Sequence, residues 1–561
     1  MTNIYRRIFY FIVFSIAFIV VFATILVGIL VKNTTITIVL SFISIFLINA
    51  GLALWITTSN MRMVHTKLAW LLSFLVFPII STIIYLIWGR MPYYAKSVAD
   101  FKEEYKKYLK YYDSNFDINE QTDTFDMIAK YIHGVRSSCV FCNNKIDVIQ
   151  NNIDFYKNMI DLIDSAKKTI TLCYYVIDDG QFWSSIKNHL IAKANSGVKI
   201  FILFDRYGSK NKFTHQMLVE LLQNKNISIR KFESDRDIWT RSANNFRSHK
   251  KSLIIDNDVV LYGGSNLADE YLSIKKNSPN WDDLNFIIRG DVVRSFLIDF
   301  SIDWDFNGFL PFIWEIGDYI NCKKEIKWIL WLRFHLFFKR KKQIYINVIK
   351  NRQEKNKILP FFEELKYFEK NVDTSFNNEN KAIFVQTGPR YYNNVVVDIL
   401  LTSISNAKKS IKIVSPYLQL NDTIMTAIIA ANKRNVSIEL ITAGSADDKW
   451  WLLDMNRSIY PQLLNSGSQI YEYFGFIHSK LVIVDNEYIL FGTFNLDFRS
   501  FNSNFETLLV VKEKDAVNNV LDYWEKTINY SKKYSKYELF KYRNLKSIII
   551  QTGLQIIQPL L

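Results

Sequence analysis

The first 90 residues contain three uncharged apolar runs, which cover 8–31, 36–56 and 68–88. About 20 apolar residues are enough for a helix to cross the hydrocarbon core of a bilayer. The pattern therefore predicts a membrane anchor over 1–92 with three spanning helices, and a multi-pass protein of the cell membrane. Pro78 predicts a kink in the third helix.

The charges around these runs bear on processing and on topology. Arg6 and Arg7 precede the first run, as in a signal peptide, but no small-residue cleavage site follows it and further apolar runs do. We therefore expect a retained anchor. Arg62 and Lys67 favour a cytoplasmic N-terminus, whereas a lysine cluster after Arg90 favours the opposite orientation. The positive-inside rule leaves open which side of the membrane carries the rest of the chain.

Two later segments, 146–305 and 381–530, alternate helical and strand patterns and resemble each other. Residues 164–175 parallel residues 405–417, each with a helix end, a turn and an apolar strand. This alternation is typical of α/β domains. We predict an α/β fold with two similar lobes, each a mostly parallel sheet flanked by helices, preceded by N-terminal transmembrane helices.

The remaining segments differ from the two lobes in composition. Residues 93–145 are polar and rich in Tyr and Lys, which predicts a helical linker. Residues 306–380 form an insertion whose centre combines aromatic and aliphatic residues with basic clusters. We expect this insertion to lie at an anionic membrane interface; the alternative is a core helix with a solvated basic end. The tail, 531–561, ends in an amphipathic stretch.

Composition narrows the choice of partner. The 561 residues carry a formal net charge of +15, which fits an anionic partner such as nucleic acid, phospholipid or another phosphate ester. The apolar runs favour phospholipid, so we expect no nucleic-acid partner. Four cysteines are too few for a disulfide framework. Cys139 and Cys142 form a CxxC without a second ligand pair, so we expect no metal site.

One stretch occurs twice, once in each lobe, with His, Lys, Asp, Gly and Asn at identical spacing. The first copy runs from His249 to Asn266 and the second from His478 to Asn495. Each copy is typical of two strands joined by a tight turn, which we place at Asn257–Asp258 in the first copy. Residues two apart share a strand face, so His, Lys and Asn gather at one end of the hairpin. The predicted cross-strand pairs are Asn266 with His249, Gly264 with Lys251, Asn495 with His478, and Thr493 with Lys480.

The aspartates of the motif lie at the other end of the hairpin. Asp256 follows His249 by seven residues, or about 23 Å at roughly 3.3 Å per residue, and Asp485 has the same spacing in the second copy. We therefore expect both aspartates to be structural. Asp283 and Glu506, further along the chain, are better candidates for orienting the imidazoles. A carboxylate on one ring nitrogen fixes the tautomer and raises the basicity of the other nitrogen.

The two copies together supply two imidazoles, two ammonium groups and two amides, a set that suits phosphodiester exchange. One histidine attacks phosphorus and forms a phosphohistidine. The other protonates the leaving alkoxide and then deprotonates the incoming hydroxyl. Lys251, Lys480, Asn266 and Asn495 stabilise the charged phosphoryl oxygens. These groups can do the electrostatic work of a metal ion, so we expect no cofactor.

The repeated stretch resembles the motif of the phospholipase D superfamily, HxKxxxxDxxxxxxG(G/S/T)xN, which occurs twice in that superfamily. Within it, the chain is similar to bacterial cardiolipin synthases in the stretches Asn245–Lys251, Trp281–Asp283 and Asn495–Glu506. The resemblance covers about 68–305 and 381–561.

The resemblance implies a phosphatidyltransferase that joins two phosphatidylglycerols into cardiolipin and releases glycerol. Phosphatidylglycerol and anionic membrane lipid are then its partners. The resemblance also implies that His249 is the nucleophile and His478 the acid/base. The nearly symmetric sequence itself does not assign these roles. Because the family motif includes its aspartates, the candidate catalytic residues are His249, Lys251, Asp256, His478, Lys480 and Asp485, with Asn266 and Asn495 binding phosphate.

Two departures from the family pattern keep alternatives open. Residues 8–31 form an additional span, and residues 306–380 are longer than the usual linker. The main alternative is another membrane transferase or hydrolase of the phospholipase D type, such as phospholipase D or phosphatidylserine synthase. A basic nuclease and a non-catalytic membrane scaffold are less favoured. The sequence leaves the acceptor alcohol and the oligomeric state open.

Overall fold

The computed structural model describes residues 34–58, 64–88, 123–135, 138–210, 212–232, 246–307, 379–389, 391, 395–447, 449 and 451–538. Outside these residues lie the predicted span 8–31, most of the 93–145 linker, nearly all of the 306–380 insertion and the tail after residue 538.

The N-terminal part consists of helices α1 (Thr34–Thr57), α2 (Val64–Val76) and α3 (Pro78–Trp88). Helix α1 contains the predicted span 36–56, and it is the one described helix that is long and apolar enough to cross a membrane. The predicted span 68–88 is divided between α2 and α3, because Pro78 has no N–H for the helical ladder and its ring crowds the preceding turn. A multi-pass anchor is therefore not confirmed.

Polar groups and aromatic rings hold these three helices together. Asn49 of α1 donates from Nδ2 to the Pro78 carbonyl at 3.3 Å, and its Oδ1 accepts from the Thr82 hydroxyl at 2.7 Å. The Tyr85 ring packs edge-on against Trp70, with 5.0 Å between the ring centroids. Helix α1 thus satisfies polar atoms at the break, as an apolar environment requires.

The described end of the linker packs against the second lobe. Helix α4 (Thr124–Gly134) buries Phe125 and Ile128 in the apolar core of that lobe. Strand β1 (Val140–Phe141) pairs with residues 382–383. The chain therefore contributes to the second lobe before it begins the first.

The first lobe is built on a seven-stranded sheet of order β2-β10-β8-β7-β3-β4-β5. Helices cover its outer face, and a short 3-10 helix, Asp269–Leu272, lies near the carboxyl edge of β3 and β4. The elements are β2 (Asn144–Ile149), α5 (Asn152–Ser165), β3 (Thr169–Tyr174), α6 (Gln181–Asn195), β4 (Lys199–Asp205), α7 (His215–Leu222), β5 (Ile227–Phe232), β6 (Arg247–Ser248), β7 (Ser252–Ile255), β8 (Val259–Gly263), β9 (Trp281–Asp282), β10 (Asn285–Gly290) and α8 (Val293–Asn307).

The second lobe repeats this plan in a ten-stranded sheet, whose main path is β1-β11-β18-β17-β16-β12-β13-β14-β19. The elements are β11 (Lys381–Thr387), α9 (Val395–Asn406), β12 (Ser410–Val414), α10 (Asp422–Lys433), β13 (Ser437–Ala443), α11 (Leu452–Ser458), α12 (Tyr460–Ser466), β14 (Gln469–Tyr473), β15 (Phe476–Ile477), β16 (Leu481–Val484), β17 (Tyr488–Gly492), α13 (Phe498–Asn502), β18 (Asn504–Lys512), α14 (Lys514–Asn529) and β19 (Ser531–Tyr534).

The two similar lobes are confirmed, but the prediction of mostly parallel sheets is wrong. In the first lobe only β3–β4 and β4–β5 are parallel, and in the second lobe's main path only β12–β13 and β13–β14. Parallel neighbours need a crossover connection, and the helices after β3 and β12 provide one. The two motif hairpins and the strands that pair with them add the antiparallel part, so both sheets are mixed.

The turn of each motif hairpin differs by one residue from the prediction. Its central residues are Asp256 and Asn257, both with positive φ (51° and 61°), and the Asp258 amide donates to the Ile255 carbonyl at 2.9 Å. Ile255 pairs with Val259, so Asp258 is an extra residue in the connection. The predicted register is therefore wrong by one position: Ser252 faces Tyr262, and the second hairpin has the same offset.

Short strand pairs and a shared core join the two lobes. Strand β6 of the first lobe pairs with the start of β18, and β15 of the second lobe pairs with β9. Between the lobes, Phe286 of β10 stacks on Phe491 of β17, and Tyr262 of β8 donates to the Thr507 carbonyl of β18 at 2.8 Å. The largest apolar cluster contains residues of both lobes. The end of each hairpin that carries the histidine therefore faces the opposite lobe.

Asp256→Ala should destabilise the protein. The carboxylate accepts hydrogen bonds at 2.7–2.8 Å from the backbone amides of Lys167, Lys168 and Thr169. Losing an acceptor of this kind costs about 1–3 kcal/mol of unfolding free energy, so the thermal unfolding midpoint in detergent should fall. Asp258→Ala is the matched control, because its side chain makes no hydrogen bond or ion pair to other described residues. Equal midpoints for both variants would contradict the structural role.

Candidate active site

The first motif histidine is held by a carboxylate of the other lobe. His249 Nδ1 lies 3.0 Å from both carboxylate oxygens of Glu506 and 3.1 Å from the Thr493 carbonyl. The His249 backbone amide donates to the Phe505 carbonyl at 2.9 Å. Nδ1–H is therefore the donor to Glu506, and the Nε2 lone pair is available for chemistry.

The second motif histidine has the reciprocal arrangement. His478 Nδ1 lies 2.7 Å from Asp283 Oδ2, and its backbone amide donates to the Asp282 carbonyl at 2.7 Å. Both carboxylates are buried, Asp283 at 1% and Glu506 at 0% exposure. Each lobe thus supplies one histidine and the carboxylate that orients the histidine of the other lobe.

Additional hydroxyl and amide groups hold these carboxylates in place. Glu506 accepts from the Thr493 hydroxyl at 2.6 Å, the Ser500 hydroxyl at 2.8 Å and Asn504 Nδ2 at 3.1 Å. Asp283 accepts from the Leu284 amide at 2.9 Å. The Glu506 carboxylate is therefore the more fully hydrogen-bonded of the two.

A glycine makes room for Asp283. A Cβ at Gly264 would lie 2.4 Å from Asp283 Oδ1. The corresponding position in the second copy is Thr493, whose hydroxyl instead binds Glu506. The Gly/Thr difference between the copies thus reflects how each lobe holds its own carboxylate.

The two motif lysines lie beside the two histidines. Lys251 Nζ donates to the His249 carbonyl at 2.6 Å. Lys480 Nζ donates to the His478 carbonyl and lies 2.8 Å from Nδ1 and 3.0 Å from Nε2 of the His478 ring. Because Nδ1–H of His478 donates to Asp283, the Nε2 lone pair is the one available for proton transfer.

The motif asparagines are buried in different ways. Asn266 donates to the Tyr271 hydroxyl at 2.6 Å and accepts from the Val176 amide at 3.1 Å. Asn495 Oδ1 is buried and has no hydrogen-bond partner among the described residues. A buried amide oxygen without a partner is costly, so the Asn495 amide is a suitable group to meet a ligand.

Burial and mutual charge depress the basicity of the site. Burial, followed by the charges of Lys480 and Lys251, holds the pKa of His478 well below its usual range. Burial also lowers the pKa of His249, although Glu506 opposes the shift. Burial lowers the pKa of Lys251 to about 7 and that of Lys480 to about 8. Because residues of each lobe act on those of the other, the two copies form one electrostatic unit.

The pKa values of the two orienting carboxylates are shifted in opposite directions. Burial raises the pKa of Asp283 to about 6 against the opposing charge of Lys480. Burial also acts to raise the pKa of Glu506, but the neighbouring His249 and Lys251 and the Thr493 hydroxyl lower it overall. Glu506 is thus the more firmly ionised of the two.

The structure does not bring Asp256 or Asp485 to this site. Asp485 accepts from the backbone amides of Lys408, Lys409 and Ser410, as Asp256 does in the first lobe. Each binds the chain before the strand next to its hairpin, at the end opposite the histidine. Their inclusion among catalytic residues is therefore corrected to a structural role, since a carboxylate at a turn satisfies three amides there.

Several residues around the histidines were not singled out from the sequence as site residues. Tyr175 packs edge-on against His249 at 5.0 Å, and Trp281 and Tyr271 each lie 5.3 Å from the His478 ring. The positions of Tyr271 and Trp281 depend on the 3-10 helix and on β9, which no local pattern indicates, whereas Tyr175 directly follows β3. No group of three or more metal-binding side chains occurs in the part of the chain that the structure describes.

Comparison with known proteins gives a consistent family. The model of the cardiolipin synthase PLD-like domain matches residues 159–304 and 400–528, and that of the phospholipase D-nuclease N-terminal region matches 36–90. Together they match more than half of the chain. Both motif copies lie inside the matched segments, and the 306–380 insertion lies entirely outside them.

Relatives that match over most of their length are also named cardiolipin synthases. A cardiolipin synthase of Alkalihalophilus pseudofirmus is 25% identical over 500 residues, which cover 88% of each chain. Cardiolipin synthase A of Wigglesworthia glossinidia brevipalpis is 28% identical over 473 residues, 81% of this chain and 83% of that one.

A solved structure supports the fold. The crystal structure of the phosphatidylserine synthase of Haemophilus influenzae covers 77% of this chain and 97% of its own, with a TM-score of 0.52 and 15% identity. The family matches and the shared two-lobed fold lead to one conclusion: the chain belongs to the phospholipase D superfamily, in its cardiolipin synthase family.

Proposed function

We propose that this protein is a cardiolipin synthase, which transfers a phosphatidyl group from one phosphatidylglycerol to another and releases glycerol. The observation that carries the proposal is the pair of reciprocal histidine–carboxylate bonds, which places two imidazoles and two lysines in one buried site. The names of the relatives supply the substrate class. The family model and the two lobes agree with an enzyme of the phospholipase D type.

In the first half-reaction, Nε2 of His249 attacks the phosphorus of phosphatidylglycerol. The bond from phosphorus to the glycerol headgroup oxygen breaks, and that oxygen takes a proton from His478. His478 is largely neutral without substrate, because its pKa lies well below the usual range. The anionic phosphodiester raises that pKa, so the acid forms where the substrate is bound.

In the second half-reaction, neutral His478 removes the proton of a headgroup hydroxyl on a second phosphatidylglycerol. The oxygen attacks phosphorus, the phosphohistidine bond breaks, and His249 recovers its lone pair. Lys251, Lys480 and the two motif asparagines stabilise the negative charge on the phosphoryl oxygens through both steps. A buried site increases the strength of these interactions.

The environment of Glu506 supports His249 as the nucleophile. A phosphorylated imidazole carries positive charge, and an ionised carboxylate on Nδ1 compensates it. The pKa of Glu506 is lowered, whereas that of Asp283 is raised by burial to about 6. The firmly ionised carboxylate therefore stands behind His249, and the more easily protonated one stands behind the acid/base.

The membrane segment would keep the active site at the bilayer, where the phospholipid substrate lies. Helix α1 is apolar and long enough to cross a bilayer. We extend this to a multi-pass anchor over 1–92, with 93–145 as linker, 306–380 as interfacial insertion and 531–561 as amphipathic tail. Phosphatidylglycerol and other anionic lipids of the cell membrane are then the partners, and no cofactor is required.

The acceptor alcohol separates this proposal from its alternatives. Water as acceptor would make the enzyme a phospholipase D, and serine would make it a phosphatidylserine synthase. Purified protein with phosphatidylglycerol vesicles, followed by lipid mass spectrometry, should yield cardiolipin. Phosphatidic acid as the main product would replace the proposed function with hydrolysis.

His249→Ala and His478→Ala should each lower cardiolipin formation by roughly 10³-fold or more, since one variant loses the nucleophile and the other the acid/base. Rates are measured by mass spectrometry with phosphatidylglycerol vesicles. His189→Ala is the control, because His189 pairs with Asp164 at an exposed position. Full activity in either motif variant would exclude the two-histidine mechanism.

Glu506→Gln and Asp283→Asn should each reduce kcat by about 100-fold or more, because each variant loses the carboxylate that fixes the tautomer of its histidine. Glu487→Gln, at the exposed turn of the second hairpin, should leave kcat unchanged. If either buried carboxylate were dispensable, the cross-lobe pairing would have no catalytic role.

Alkaline pH should reduce kcat/KM between about pH 7 and 8. The pKa values of Lys251 and Lys480 are about 7 and 8, so both ammonium charges are present below this window and lost as pH rises through it. Lys480→Arg keeps its charge at higher pH. Its profile should extend to more alkaline pH, even if its maximum is lower. An identical alkaline limb in the variant would show that Lys480 does not control it.

A further inference from the structure

The residue between histidine and lysine in the first motif copy is buried among charges. Lys250 is 2% exposed, and its ammonium donates to Asp299 at 2.6 Å and to Asp303 at 2.7 Å. Both aspartates are buried and lie four residues apart on α8, so they face the same side of that helix. Lys250 therefore ties the segment between β6 and β7 to the last helix of its lobe.

The second copy has an equivalent contact, which is a hydrogen bond between two hydroxyl groups. Ser479, between His478 and Lys480, is fully buried, and its Oγ lies 2.7 Å from the hydroxyl of Tyr523 on α14. Tyr523 in turn donates to Asp282 of the other lobe. In both lobes the middle residue of His-x-Lys is thus bound to the terminal helix of that lobe, although the two ties differ in chemistry.

The position of Lys250 connects this tie to the reacting groups. Its neighbours on either side are His249, whose imidazole is aimed by Glu506, and Lys251, whose ammonium binds the His249 carbonyl. The segment His249–Lys251 belongs to no strand. The His249 amide donates to the Phe505 carbonyl at 2.9 Å, and side-chain anchors add to this single backbone contact in fixing the segment.

We propose that Lys250 is a positioning residue of the first half-site, which acts through its ion pairs with Asp299 and Asp303. With the ammonium held on α8, the backbone on either side directs His249 Nε2 and Lys251 Nζ towards the same phosphoryl group. Lys250 itself does not touch the substrate. The catalytic readout of this inference rests on the proposed function.

A charge-balanced variant tests the proposal. Lys250→Met alone leaves two buried carboxylates facing each other, which can prevent folding. The triple variant Lys250→Met/Asp299→Asn/Asp303→Asn removes the whole charge cluster and keeps similar side-chain volumes. In that variant kcat should fall by about 10–100-fold while KM for phosphatidylglycerol stays within about twofold, because positioning affects the reaction more than lipid binding.

Two further variants separate positioning from a general loss of stability. Lys250→Arg can bind both carboxylates through its forked guanidinium and should keep most of kcat. Lys187→Met loses an ion pair with Glu220 at the surface and is the control for a Lys→Met change, with kcat expected unchanged. A folded triple variant with wild-type kcat would overturn the proposal.

Hydrogen–deuterium exchange provides a readout that needs no turnover. Loss of the anchor should accelerate exchange of the backbone amides of residues 247–252 in the triple variant and leave those of the second motif unchanged. If wild-type protein forms no cardiolipin, the proposed function fails, but the exchange result still decides whether Lys250 anchors this segment. Unchanged exchange at 247–252 would exclude the anchoring role.

Discussion

The site depends on two hydrogen bonds that cross between the lobes. His249 of the first lobe binds Glu506 of the second, and His478 of the second binds Asp283 of the first. Neither lobe can orient its own imidazole, so correct docking of the lobes is a condition for either histidine to react. The duplicated chain therefore contains one site rather than two, and its two halves are made of residues from both copies.

The surrounding structure holds the partners of these two hydrogen bonds beside each other. Strand pairs β6–β18 and β9–β15 bring each histidine beside the carboxylate of the other lobe, and a common apolar core fixes the lobes against each other. The terminal helices of the lobes hold the middle residues of the two motifs. Burial then lowers the pKa values of the lysines and histidines, and an anionic phosphodiester bound between them would raise those values again.

The sequence predicts the local part of this arrangement well. The spacing within each copy identifies a hairpin with Asp256 and Asp485 far from the histidines, and the residues downstream of each copy offer Asp283 and Glu506 as orienting acids. It does not predict that these acids are exchanged between lobes, because this depends on contacts about 195 and 257 residues apart in the chain. The hairpin register was wrong by one residue because Asp256 adopts positive φ and the turn begins earlier. The mixed sheets follow from strand pairing that local alternation does not specify.

The most direct test of the two-histidine mechanism is identification of the covalent intermediate. Wild-type protein is mixed with phosphatidylglycerol, quenched in alkaline denaturant within one turnover, and digested for mass spectrometry. We expect a phosphatidyl group on the peptide that contains His249, and none on the peptide that contains His478. A phosphatidyl group on His478, or cardiolipin formed at the wild-type rate by His249→Ala, would contradict it.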